Sequence, residues 1–270
     1  MDVARSGLGL VLCFIVPSLA GAQPFTPPCT VPYASIAEHH PIDDTCGLDG
    51  DAAGDPPHAA QNRAKNNLCA TGAALVTFFS FKKLQQKVDL VPGATSWDRF
   101  HLPPDRSVLA NLYTTTEGDQ IGEGAVVRLA SWILKLRKGG SESVNCGKTK
   151  KDEIDMHLVL VDKSNPNTPE CSSVTAEVIP HLRPAAWDGQ TILSAIDHPF
   201  RFTGHLMYDA AHRPCSGSPP QPGTSAPARS SSWEIHPAYA IDVCKFKSLT
   251  KCKASDDAVW TPLDQWNGGQ

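Results

Sequence analysis

The chain has no Gly-x-Ser-x-Gly elbow, no His-Glu-x-x-His pair, no Walker-type phosphate loop and no Cys-x-x-Cys. No nucleotide-binding glycine fingerprint follows a predicted strand either. These absences remove the α/β-hydrolase nucleophile, the zinc-protease helix and the nucleotide-binding folds. A structural zinc site of closely spaced cysteines goes with them. Charge is also scarce: Asp, Glu, Lys and Arg are 19% of the residues, the formal net charge is −4, and there is no run of bases. Tight non-specific nucleic-acid binding rests on phosphate neutralisation, so this chain is a poor candidate for it. Beyond Leu19 no apolar run approaches the roughly 18 residues of a membrane-spanning helix.

What is present begins with a leader. Arg5 supplies a positive start, Gly7 to Leu19 is nearly uncharged and apolar, and Ala20-Gly21-Ala22 is a small-residue cleavage site. Residues 1–22 are therefore predicted to be a signal peptide, and the protein to be exported, periplasmic or extracellular. Removing them takes away Asp2 and Arg5 and leaves the net charge unchanged. Cys13 leaves with the leader. Eight cysteines remain: Cys29, Cys46, Cys69, Cys146, Cys171, Cys215, Cys244 and Cys252. An even number in an exported chain points to disulfides, with the pairing left open. On this basis Asn145-Cys146-Gly147 is a disulfide-anchored loop and not a nucleophile.

Residues 23–120 are rich in Pro, Asp, Asn and Gly at their start and read as an irregular, cysteine-containing arm. Within it Ala74 to Phe81 is a predicted strand, followed by a turn or helix to Val88. Residues 92–120 read as loop, broken at Pro103-Pro104. Two loop motifs resemble cation sites: Glu38-His39-His40-Pro41 with Asp43 and Asp44, and Asp49 to Asp55. The second lacks the ligands of a calcium loop at Ala53 and Ala60.

From residue 121 to 252 the pattern sharpens into alternation. Predicted strands are Gly124 to Lys138, long enough to bend, then Ile154 to Asp162, Ser173 to Ile179, Phe200 to Tyr208 and Ser232 to Cys244. A short helix over Ala186 to Asp197 falls between the third and fourth, and Pro214 to Ser230 is a Pro/Ser/Gly loop. This order is that of a mainly β protein: an OB-like, five-stranded Greek-key barrel with one short helix, behind a disulfide-tied arm. Residues 253–270 form a tail expected to pack back on the barrel. Trp132, Trp187 and Trp233 read as core, or else as a stacking platform for bases or sugars. Arg128, Lys135, Arg137 and Lys138, with Lys148, Lys150 and Lys151, form a basic edge of the kind that is usually a solvated face.

The most informative stretch runs from Trp233 to Cys244. Trp233 and Ile235 point one way on the strand, Glu234 and His236 the other, about 7 Å apart along the chain for each matched pair. Asp155 and His157 repeat the same carboxylate-x-imidazole spacing upstream. Glu177 lies on the third strand, and His205, Asp209 and His212 on or just after the fourth; His181 follows the third. In the expected strand order 1-2-3-5-4 these strands are consecutive neighbours. Asp155, His157, Glu177, Asp209, His212, Glu234 and His236 are therefore the candidate metal ligands, suited to a divalent ion such as zinc. Three roles fit such a cluster. It can be a structural network of satisfied buried pairs, a ligand or metal site, or a catalytic site in which a metal activates water or an acid orients an imidazole base.

The segments Gln61 to Ala70, Ser143 to Cys146, Ser173 to His181 and Trp233 to Cys244 resemble those of an uncharacterised family of exported bacterial proteins, marked by the Trp-Glu-Ile-His-Pro strand. The resemblance implies a bacterial envelope or secreted setting and no particular chemistry. The leading expectation is an exported binding or structural module of unknown ligand. A metal-dependent hydrolase acting on phosphodiesters, built on His157, Glu234 and His236, is the first alternative. An oligosaccharide- or nucleic-acid-binding OB-fold is the second.

Overall fold

The structure is a computed structural model, and it describes residues 38–52, 54–69, 72–103, 105–215 and 229–268. The leader, Cys29 and most of the Pro/Ser/Gly loop lie outside the described residues. The elements in chain order are α1 (Pro56–Lys65), β1 (Ala74–Val76), α2 (Phe78–Val88), β2 (Tyr113–Thr114), β3 (Gln120–Ile121), β4 (Val126–Lys138), β5 (Met156–Val161), β6 (Val174–Val178), α3 (Gly189–Ser194), β7 (Phe200–Tyr208), β8 (Trp233–Cys244) and β9 (Trp260–Pro262). Short 3₁₀ turns join several of them.

Five of these strands close into a barrel. The hydrogen-bonded order is β4-β5-β6-β8-β7, and β7 returns to β4. Closure rests on the length of β4. Its first half, Val126 to Ser131, pairs with β7, and its second half, Trp132 to Lys138, pairs with β5. A shift between Ile133 and Lys135 supplies the bend that a shared strand needs. All barrel pairings are antiparallel except β6 with β8, which is parallel. β1 adds to β4 in parallel, and β9 adds to β8, so the C-terminal tail does pack back on the barrel.

The barrel interior is a continuous apolar core. Leu129 from β4, Leu158 and Leu160 from β5, and Val174, Ala176 and Val178 from β6 meet Phe202 and Leu206 from β7 and Trp233, Ile235 and Ile241 from β8. Trp132, Trp187 and Trp233 are all buried, which leaves none of them as an exposed stacking face.

The fold is mixed α/β, with three helices among the described residues where the sequence predicts one short helix and a turn or helix to Val88. The predicted strand over Ala74 to Phe81 ends at Val76. Thr77 and Ser80 form a reciprocal capping box there and start α2. The apolar run Phe78 to Phe81 does not itself distinguish strand from buried helix. α1 lies in the segment read as irregular. Asp55 caps it by accepting from the His58 amide, and Pro56 opens it.

Three disulfides join described cysteines: Cys46–Cys146, Cys171–Cys215 and Cys244–Cys252. Cys69 is also disulfide-bonded. Such bonds are consistent with an oxidising compartment. Among the described residues no helix is long and apolar enough to cross a membrane.

Candidate functional site: a roofed acid–imidazole cluster

Strand alternation decides where the polar residues go. Leu158, Ala176, Val178 and Ile235 point into the barrel core. His157, Glu177, Glu234 and His236 alternate with them and so lie on the barrel's outer face. His157 stands directly opposite Glu177, and Thr175 opposite Glu234, so β5, β6 and β8 lay their polar residues side by side.

An outer face is usually wet, yet here it is not. His236 and Glu234 are fully buried, and Asp155, Glu177 and His157 are buried too. The roof is α1 together with the loop after β4. Lys65 Nζ reaches Glu142 Oε2 at 2.7 Å. Ser143 Oγ donates to Asn62 Oδ1 at 3.2 Å, and the Asp51 amide donates to the Ser143 carbonyl at 2.9 Å. The Cys46–Cys146 bond clamps the same corner. Gly50 is required there. Its φ of +55° is in the left-handed region, and a Cβ would lie 2.1 Å from the Ser143 carbonyl oxygen. Gly139 is required on the other side, where a Cβ would lie 2.7 Å from the Asp155 carbonyl oxygen and 3.3 Å from His157 Nε2.

Within this enclosure Glu177 Oε2 is 3.0 Å from His236 Nδ1 and 3.3 Å from His157 Nε2. Glu142 Oε1 is 3.8 Å from the same His157 nitrogen. Glu234 Oε1 is 3.3 Å from His236 Nδ1. Two carboxylates beside Nδ1 hold a proton there, so the buried Nε2 is the nitrogen that would give up its proton to a metal ion. That Nε2 has no hydrogen-bond partner among the described residues, and neither has either carboxylate oxygen of Asp155. Two sets of donors therefore arise, Asp155–Glu177–His236 and Glu142–Asp155–His157, each with ligand atoms within 4.8 Å of one another.

The electrostatics follow from burial and crowding. Burial, reinforced by the Glu142 and Glu177 charges and opposed by His236 and Lys65, pushes the Asp155 carboxyl up to about 6. Burial pushes Glu177 the same way, but His157, His236 and Lys65 outweigh it and hold this carboxyl well below its usual range. Burial also works against the His236 imidazolium, yet the Glu177 and Glu234 carboxylates raise its pKa to about 10. Lys65 is held well above its ordinary value by Glu142, Asp209, Glu177 and Glu234, against the pull of burial.

Of the seven sequence candidates, four converge here: Asp155, His157, Glu177 and His236. Glu234 touches the cluster with one oxygen and gives the other to Arg229 at 2.6 Å. Asp209 and His212 belong to the neighbouring ion-pair chain. Arg229 reaches Asp209 Oδ2 at 2.8 Å, and His212 Nδ1 bonds that same oxygen. His181 is elsewhere, bonded to Asp43 at 2.6 Å, and His205 meets the Tyr239 hydroxyl at 2.9 Å. Sequence reasoning missed Glu142, Lys65 and Arg229. Glu142 sits in a loop, outside any strand period; the Cys146 beside it was the one available signal that this loop is pinned. The basic edge is largely paired: Lys135 and Arg137 meet Glu170, and Arg128 meets Asp257. Asp155 also borders an open groove of about 900 Å³, lined by Arg137, Lys138, Met156, Arg183 and Trp187 among others.

The fold and the site together define a closed mixed β-barrel with a buried acid–imidazole cluster on its outer wall. No family model, curated protein or solved structure matches the chain.

Proposed function

We propose that the protein is an exported, disulfide-tied, OB-like barrel module that binds a divalent cation between Asp155, Glu177 and His236. The strand order, with a helix between the third and fourth barrel strands, supports the OB-like assignment. The leader-like start and the resemblance to exported bacterial proteins support the setting.

One observation carries the cation reading: a fully buried carboxylate, Asp155, has both oxygens unpartnered beside a second buried carboxylate and an imidazole nitrogen that is also unpartnered. Leaving a buried polar atom unmade costs about 1–3 kcal/mol, and more for a charged one. Native sites rarely carry several such atoms together. Ligands about 2.1 Å from zinc stand roughly 3.4 Å apart in a tetrahedron, so donors already gathered this closely need only small shifts to close on an ion. Charge gives the same answer. Five carboxylates (Glu142, Asp155, Glu177, Asp209, Glu234) face Lys65, Arg229 and the His212 imidazole on Asp209. With His212 protonated the carboxylates still outnumber these cations, and a divalent ion offsets the excess while displacing the proton that Glu177 and Glu234 otherwise hold on His236.

The test is elemental analysis and calorimetric titration of metal-stripped protein with Zn²⁺ and Mn²⁺. Stoichiometric binding is expected, lost in Asp155→Asn and His236→Gln with the circular dichroism of the barrel retained. A wild-type protein that takes up neither ion overturns the reading and leaves the cluster as a proton-sharing structural network.

A further inference from the structure

We propose that the cluster holds a second, outer cation between Glu142, Asp155 and His157, bridged to the inner one through Asp155, and that this outer ion carries a small oxyanion. This rests on the inner-site reading and extends it.

The bridge follows from Asp155 itself. It is the one residue common to both donor sets. It is 1% exposed, and neither of its oxygens has a hydrogen-bond partner among the described residues. An inner ion alone satisfies one of those oxygens in monodentate fashion and leaves the other buried and unpaired. A carboxylate giving one oxygen to each of two ions satisfies both, as in two-metal centres whose ions lie about 3.5–4 Å apart. His157 supplies the imidazole of the outer position, and its Nε2 likewise makes no hydrogen bond among the described residues. The loop after β4 supplies Glu142, whose Oε2 is engaged by Lys65 while Oε1 faces His157.

The two positions differ in access. Around the inner one Glu177 and His236 are sealed, whereas the side chains of Glu142 and His157 are 23% and 11% exposed. Closed sites hold structural ions, and sites with an open coordination position exchange ligands. The outer ion is therefore the exchangeable one. Because the inner ion already balances the cluster's charge, the outer ion brings its own counter-anion. A phosphoryl or carboxylate group from solution has the oxygen donors to serve. The Lys65 ammonium beside Glu142 repels the outer ion, which ranks it as the weaker of the two.

The test is titration of the metal-stripped full chain with Mn²⁺, read by calorimetry and electron paramagnetic resonance, with and without inorganic phosphate. Two equivalents are expected, the second about tenfold or more weaker, with an exchange-coupled spectrum once both are bound. Phosphate tightens the second step and leaves the first unchanged. Glu142→Gln and His157→Asn remove the second step and keep the first; the glutamine still offers Lys65 an acceptor oxygen, and circular dichroism verifies the fold of both variants. One equivalent in the wild type overturns the outer position and leaves the inner reading standing; none, with Zn²⁺ as with Mn²⁺, overturns both. Two equivalents with uncoupled spectra, or a second step untouched by both variants, sink the Asp155 bridge. A second step indifferent to phosphate overturns the oxyanion.

Discussion

At the scale of single residues, this protein buries charge in two ways. Arg106 and Glu123 form a closed pair: both are buried, Arg106 Nε donates to Glu123 Oε2 at 2.6 Å, and the guanidinium also donates to the Tyr208 carbonyl at 2.7 Å. Four of the five guanidinium N–H donors have partners, Gln61 Oε1 accepting the fourth at 3.4 Å, so the pair is structural. Arg106→Met leaves Glu123 uncompensated and is expected to cost about 3–5 kcal/mol in urea unfolding, whereas Arg106→Met with Glu123→Leu recovers a large part of the loss. Asp155 is the opposite case, a buried carboxylate left open. His205 offers a third behaviour, because burial holds its pKa down at about 4 and it folds as the neutral ring. In the unfolded chain it takes a proton near pH 6.5. Stability is therefore complete above that value and is lost as pH falls toward 4, by about 3 kcal/mol for this residue. His205→Phe should flatten the pH 7-to-4 stability difference by that amount, and an unchanged slope would exclude His205 as its source.

At the scale of elements, the site exists because a helix and a loop cover one wall of a barrel. α1 is unusual in its buried face, which carries Gln61, Asn62 and Lys65 where a core-facing helix carries an apolar stripe. It packs on a polar site, and its composition matches that task. For the same reason it was illegible by periodicity. The loop bearing Glu142 is held by the Cys46–Cys146 bond, which closes a separation of 100 residues, whereas Cys244–Cys252 closes 8. Changing Cys46 and Cys146 together to Ser is expected to cost about 2–5 kcal/mol and to weaken cation binding. Changing Cys244 and Cys252 should lower stability without touching cation affinity. Equal affinities in the two double variants would show that the clamp does not position the site.

At the scale of the whole molecule, binding to the native state alone couples metal to stability. An ion present at a thousandfold excess over its dissociation constant adds about 4 kcal/mol. Chelation is therefore expected to lower the thermal midpoint by several degrees and to leave Asp155→Asn protein unaffected. Identical melting curves with and without chelator in the wild type would contradict a bound structural ion.

The barrel strands were legible because they alternate. Phe200 to Tyr208 coincides with β7, and the other four predicted barrel strands agree with the structure to within two residues at each end. A half-buried strand writes its two faces into neighbouring letters, and Asp155, His157, Glu177, Glu234 and His236 stood out on one face for that reason. Their meeting depends on pairing register, which matches His157 to Glu177 across β5 and β6. What the letters alone could not settle was which side of the wall is dry. That was decided by α1 and the Glu142 loop folding over the outer face, through contacts between residues 62 and 143, 65 and 142, and 46 and 146. Local pattern encodes the strand and its two faces. Only long-range packing removes the water, and without that removal the acids and imidazoles would be ordinary surface.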